Sequence, residues 1–212
     1  MTVSVDGLLR LWEVKGGTNP LTCKEHSGYI SGVQWSTDGS RWVTWSSDKT
    51  AKLWDASQGE VLATLKHDDG VNRAAFSPDG RRVVTASDDG MVRVWDAQAG
   101  APFTPPIRHG GDIYDAEFSA DGQMVVTAGS DRTAHVWDAM TGQPLTPPLP
   151  HGDEVWQAVF SPDAHRVLTA SADGTVQVRD LNSGEPVGPS IRHLTERGQP
   201  LTINNQRSDA SR

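Results

Sequence analysis

Cysteine is almost missing from this chain of 212 residues: Cys23 is the single one. That excludes an internal disulfide framework and a Cys-rich zinc site, and it fits a reducing, cytoplasmic setting. Basic side chains are in short supply, 19 Lys and Arg against 27 Asp and Glu, so the net charge of −8 would meet nucleic acid or an anionic bilayer with mean repulsion. No apolar run approaches the roughly 18 residues of a membrane span, and Met1-Thr2-Val3-Ser4-Val5-Asp6 lacks a basic segment followed by an apolar one. The expectation is a chain that is neither exported nor membrane-bound and takes no nucleic acid. A Gly-rich phosphate loop, an HExxH and a GxSxG are missing as well, so no enzymatic activity, cofactor or metal is expected.

What the sequence does have is a period. Trp12, Trp54, Trp95 and Trp137 recur at steps of 42, 41 and 42 residues, and Arg179 fills the next slot. His26, His67, His109, His151 and His193 keep the same beat. Between each His and its Trp lie three β-rich runs separated by polar turns. Ser36-Thr37-Asp38-Gly39, Ser77-Pro78-Asp79-Gly80 and Ser119-Ala120-Asp121-Gly122 end on a glycine able to take positive φ, which marks hairpins. A fourth run follows the Trp slot at 60–66, 101–108, 143–150 and 185–192. Three of these carry prolines, which cannot donate to a ladder, so they are expected as outer edge strands.

Four antiparallel strands in about 42 residues, repeated, fit a β-propeller blade. With Trp54-Asp55, Trp95-Asp96 and Trp137-Asp138, an Asp six residues before each Trp and a His 22 before that Asp, the chain resembles the WD-repeat (G-protein β-subunit-like) family. Its Pro-Leu-Thr-Pro-Pro links resemble bacterial-style repeats. The resemblance implies an all-β propeller with an incomplete blade at 1–24, blades at 25–66, 67–108, 109–150 and 151–192, and a polar tail at 193–212 that reads as disordered.

The resemblance also implies hydrogen-bonded tetrads: His26, Thr44, Asp48 and Trp54; His67, Thr85, Asp89 and Trp95; His109, Thr127, Asp131 and Trp137. The fourth repeat keeps His151, Thr169 and Asp173, but Arg179 stands in the Trp slot and Ala164 replaces the turn glycine, so a weaker blade is expected. Asp, His and a hydroxyl suggest a hydrolase triad. The set recurs at every period, however, and the hydroxyl is engaged by an indole, which favours a structural role.

Thr2, Asp6 and Trp12 fit the last part of a blade whose first strand and histidine are lacking. Three readings of the ends stand side by side: a portion of a longer propeller, a ring completed by another chain or a copy of this one through open blade edges, and closure by Leu201-Thr202-Ile203.

By the resemblance, the leading function is a non-catalytic scaffold that binds a protein or peptide on the propeller face. The alternative is a sensing or docking module of a larger signalling kinase or NTPase. Family partners often touch positions that here hold Tyr29, Asn72, Asp88, Asp112, Tyr114, Glu154 and Trp156, and the acidic neighbours favour a basic peptide. Arg73 and Arg132 read as solvated surface. His135 and His165 fall off the tetrad period, and neither has a second ligand at metal-site spacing, so both are expected in solvent.

Overall fold

The structure is a computed structural model that describes the backbone of 2–3, 9–11 and 21–23 and the whole of 25–192. Asp6, Trp12, His193, the 194–212 tail and the Leu201–Ile203 segment lie outside the described residues. The described part is all antiparallel β. A three-stranded sheet (Thr2–Val3, Leu9–Leu11, Leu21–Cys23) precedes four sheets of four strands, each ordered as in the sequence.

Blade I comprises Ile30–Trp35, Arg41–Ser46, Thr50–Asp55 and Val61–Lys66. Blade II comprises Val71–Phe76, Arg82–Ser87, Met91–Asp96 and Ile107–Arg108. Blade III comprises Ile113–Phe118, Met124–Gly129, Thr133–Asp138 and Leu149–Pro150, and blade IV Val155–Phe160, Arg166–Ser171, Thr175–Asp180 and Ile191–Arg192. The hairpin turns are closed by their own side chains: Ser77 Oγ donates to Asp79 at 2.5 Å, and Gly80 takes a φ of 68°. Ala164 is forced to a φ of 56° at the same place, a strained position for a residue with a Cβ.

The fourth strands depart from expectation. Blade I has a full six-residue strand, whereas blades II, III and IV pair over two residues each after one isolated bridge at Pro102, Pro144 or Pro186. In blades II and III the interruption coincides with Pro105-Pro106 and Pro147-Pro148, which have no N–H to give a ladder.

The core lies between blades. One cluster joins Val43, Leu53 and Leu65 of blade I to Val71, Ala74 and Val83 of blade II, and similar clusters join II to III and III to IV. Arginines fasten the same joints: Arg41 donates to Ala97 O at 2.7 Å and Gly80 O at 2.9 Å, and Arg82 to Gly122 O at 2.7 Å. At the far side of blade IV this cover ends. In the third strands of blades I to III three residues are buried, but in Thr175–Asp180 only Thr175 is, and all of 185–192 is exposed. Among the described residues the arc of blades stays open.

Trp45 faces blade II, where it packs with Val71, Ala74 and Phe76 under the Arg73 guanidinium. Trp42 occupies the slot of Val83, Val125 and Val167, is fully buried, and stacks on Trp54 at a centroid distance of 6.2 Å.

Candidate functional site

The tetrads form where the first, second and third strands of a blade meet. In blade I, His26 Nδ1 lies 2.8 Å from Asp48 Oδ2 and Nε2 2.7 Å from Thr44 Oγ1, and the Trp54 indole donates to that hydroxyl at 2.8 Å. Blade II repeats this at 2.9, 2.7 and 2.8 Å. Burial lowers both imidazole pKa values, so each ring is neutral: one nitrogen donates to the carboxylate, and the other accepts the hydroxyl proton. The hydroxyl's lone pair then receives the indole N–H. Such a hydroxyl is a structural hub rather than a free nucleophile.

The other two blades differ. In blade III, His109 Nδ1 approaches Asp131 Oδ2 at 3.1 Å and Trp137 donates to Thr127 at 2.9 Å, but the buried Nε2 of His109 has no hydrogen-bond partner. In blade IV the His151–Thr169 contact is 2.7 Å, while Nδ1 stands 3.7 Å from Asp173. Arg179 reaches Gln177 Oε1 at 3.0 Å and leaves Thr169 without an indole donor.

The slot two residues before each Trp position escaped the sequence reading. Arg93 occupies it in blade II, contacting His67 and donating to Asp89 at 2.6 Å. Against the cost of burial, that guanidinium and nearby backbone N–H groups pull the Asp89 carboxyl down to about 2. His135 occupies the slot in blade III, and there the structure corrects the expectation of a solvent-exposed histidine without ligands nearby. It is half-buried, stacks on Trp137 at 5.0 Å, and packs edge-on against His109 at 4.6 Å. Aligning the repeats on Arg93 would have placed His135 beside Asp131.

The loops before the first strands and those after the second strands share one face, tied by backbone bonds such as Asp88 N to Gly70 O and Ser130 N to Asp112 O, each 2.9 Å. On this face Tyr114 and Trp156 stack across blades III and IV at 4.7 Å with an 18° interplanar angle, and the Tyr114 hydroxyl donates to Glu154 at 3.2 Å. Burial, with Glu154 alongside, pushes the Tyr114 phenol up to about 12, so it remains a donor. Asn72 bridges blades II and III, donating to Asp88 at 2.5 Å and to Ile113 O at 3.0 Å. Tyr29 is exposed on blade I, apart from that pair.

Asp88 and Asp112 are exposed between these groups. Partial desolvation raises the Asp88 carboxyl pKa; the Asn72 amide opposes this, and the neighbouring carboxylates of Asp112, Asp69 and Asp89 add to it. Arg73 is not free surface: it pairs with buried Asp115 at 3.3 Å, and Asp115 also accepts from Ala158 N. Arg132 is exposed, as expected. Glu117 below is pushed up to about 7 by burial and by Asp115.

A family profile described as WD domain, G-beta repeat matches residues 17–55, 59–96, 105–138 and 142–180. The mRNA export factor of Macaca fascicularis is 44% identical over 62 residues, which cover 28% of this chain and 17% of that protein. Those of Mus musculus and Danio rerio are 42% and 40% identical over the same length, with the same coverage. The match therefore spans only 17% of the length of these relatives.

Proposed function

The chain belongs to the WD domain, G-beta repeat family, and on that premise we propose that it is a non-catalytic scaffold holding a basic peptide segment of a protein partner. The observation that carries this reading is the half-buried Tyr114–Trp156 stack, bordered by Glu154, Asp112 and Asp88. Stacked aromatics offer a large, rigid surface at little entropic cost, and carboxylates at the rim steer and select a cationic partner. The tetrads serve this role indirectly by fixing the loops that carry these groups.

The likeness to mRNA export factors favours a place in an mRNA-export assembly. The net charge of −8 favours contact with a protein of that assembly over contact with the RNA. Docking to a larger signalling enzyme would use the same face.

A peptide array probed with the wild-type chain and with Trp156→Ala tests the reading. Lys- and Arg-rich peptides should dominate the wild-type binders and be lost from the variant. Binders without basic enrichment, or retained by Trp156→Ala, would contradict it.

A further inference from the structure

Blade III carries a site that the other blades lack. Its tetrad is loosened in three ways. In blades I, II and IV the Asp Oδ2 accepts a backbone N–H from Ser27, Asp68 or Gly152 at 2.8 to 3.0 Å. At the matching place Gly110 turns to a φ of 151° and makes no such bond, so Asp131 Oδ2 is held by His109 alone. Gly129 takes the slot of Ser46, Ser87 and Ser171, and a Cβ there would lie 3.2 Å from His109 Cε1 and 2.6 Å from Asp112 O. His109 thus rests against a glycine, 7% exposed, with Nε2 unpartnered.

Into this opening comes His135, where the other blades place Lys52, Arg93 and Gln177. One ligand atom from each of His109, Asp131 and His135 lies within 4.8 Å of the other two. We propose that His109, Asp131 and His135 form a binding site for a divalent transition-metal ion of the zinc class, with the fourth position left to solvent.

The donor chemistry fits. Two imidazoles and one carboxylate are ordinary zinc ligands, and a modest contraction brings the three atoms to the ~3.3 Å spacing of a tetrahedron with Zn–N near 2.0 to 2.1 Å. Metal binding needs neutral imidazoles and an ionised carboxylate, and it displaces the proton that His109 Nδ1 shares with Asp131 Oδ2. Asp131 Oδ1 is already oriented by Thr133 N and Oγ1 at 3.0 and 2.7 Å, so Oδ2, which meets only His109, is the atom offered to the ion. His135 is backed by the Trp137 indole. A metal on His109 Nδ1 places the ring proton on Nε2. The ion would replace the missing backbone bond as the clamp of this blade, close to Asp112 and the start of the strand that bears Tyr114.

The test is calorimetric titration of the full chain with zinc chloride in chelator-free buffer, alongside thermal melts. One zinc per chain should bind, and at a hundredfold excess over Kd the melting midpoint should rise by about 5–10 °C. His135→Gln copies blade IV's Gln177 and spares the His109–Asp131 contact; it should fold and lose at least about tenfold in affinity. His165→Gln, at an exposed turn histidine outside the cluster, should bind as wild type does. Substituting Co2+ should give the strong visible bands of a tetrahedral site in wild type and not in His135→Gln. Absence of stoichiometric zinc binding, or binding unchanged in His135→Gln, would overturn the proposal.

Discussion

Gly32 and Trp45 are cut to fit each other. They face across adjacent strands of blade I, and a Cβ on Gly32 would sit 2.2 Å from Cζ2 of the Trp45 indole. In the other blades the same pair is Arg73 with Ala86, Asp115 with Ala128 and Gln157 with Ala170, a large residue opposite a small one in the reverse sense. In blade I the bulk has moved to the second strand, and the first strand has given up its side chain to admit it. Gly32→Ala should therefore cost about 1–3 kcal/mol by overpacking, and the same change in a Trp45→Ala background should cost much less. Urea unfolding of the four proteins of that double-mutant cycle measures the coupling.

The tetrad hubs make a second prediction. Thr85→Val keeps shape but removes the partner of both His67 Nε2 and Trp95 Nε1. With two buried polar atoms unpaired, the loss should be about 2–4 kcal/mol. The same substitution at Thr169 takes the short-range partner from His151 Nε2 but from no indole, because Arg179 stands in the Trp slot, and should cost roughly half as much; the long contact to a third-strand carbonyl is lost in both cases.

Blade IV offers the converse. Arg179→Trp restores an indole donor opposite Thr169 and should stabilise the chain by about 1 kcal/mol, read as a higher urea midpoint. An unchanged midpoint would mean that the open flank of this blade, rather than its broken tetrad, limits its stability.

Stability should respond to pH from both sides. Burial, helped by Arg93, holds His67 down to about 4 against its ordinary 6.5. Between those values the unfolded chain binds more protons than the folded one, so stability falls as the pH drops from 6.5 towards 4. Glu117 acts in the opposite sense: its ordinary value is 4.5, and burial with Asp115 nearby raises it to about 7. Its contribution is fully present below 4.5 and lost as the pH rises through 7. Glu117→Gln should therefore gain on the order of 2–3 kcal/mol at mildly alkaline pH and nothing in acid. Urea midpoints of both proteins across the pH range decide this.

The repeat made most of the fold legible, because blade spacing, turn glycines and the His and Asp of each tetrad recur in register. Trp45 alternates with Thr44, which points to the tetrad, so the strand period alone turns its indole to the opposite face, and the structure shows blade II there. Three features were hidden for physical reasons. In blades II and III the fourth strands shrink to two residues where consecutive prolines remove their donors, a matter of degree that strand patterning does not measure. Arg73 looked like loose surface because its partner Asp115 is 42 residues away, one blade on. His135 has no ligand partner at metal-site spacing along the chain, whereas His109 reaches it across the sheet. Tyr114 and Trp156 were each legible as first-strand aromatics at partner-contacting positions, but their stacking depends on the angle between two blades, which one repeat cannot report.

The binding face is tested most directly by fluorescence anisotropy of a short labelled Lys- and Arg-rich peptide, with its Glu-substituted counterpart, against wild type and Trp156→Ala at low and high salt. The account expects saturable binding of the basic peptide only, weakened by salt and at least about tenfold weaker in Trp156→Ala. Equal binding of both peptides, or binding indifferent to Trp156, would contradict it.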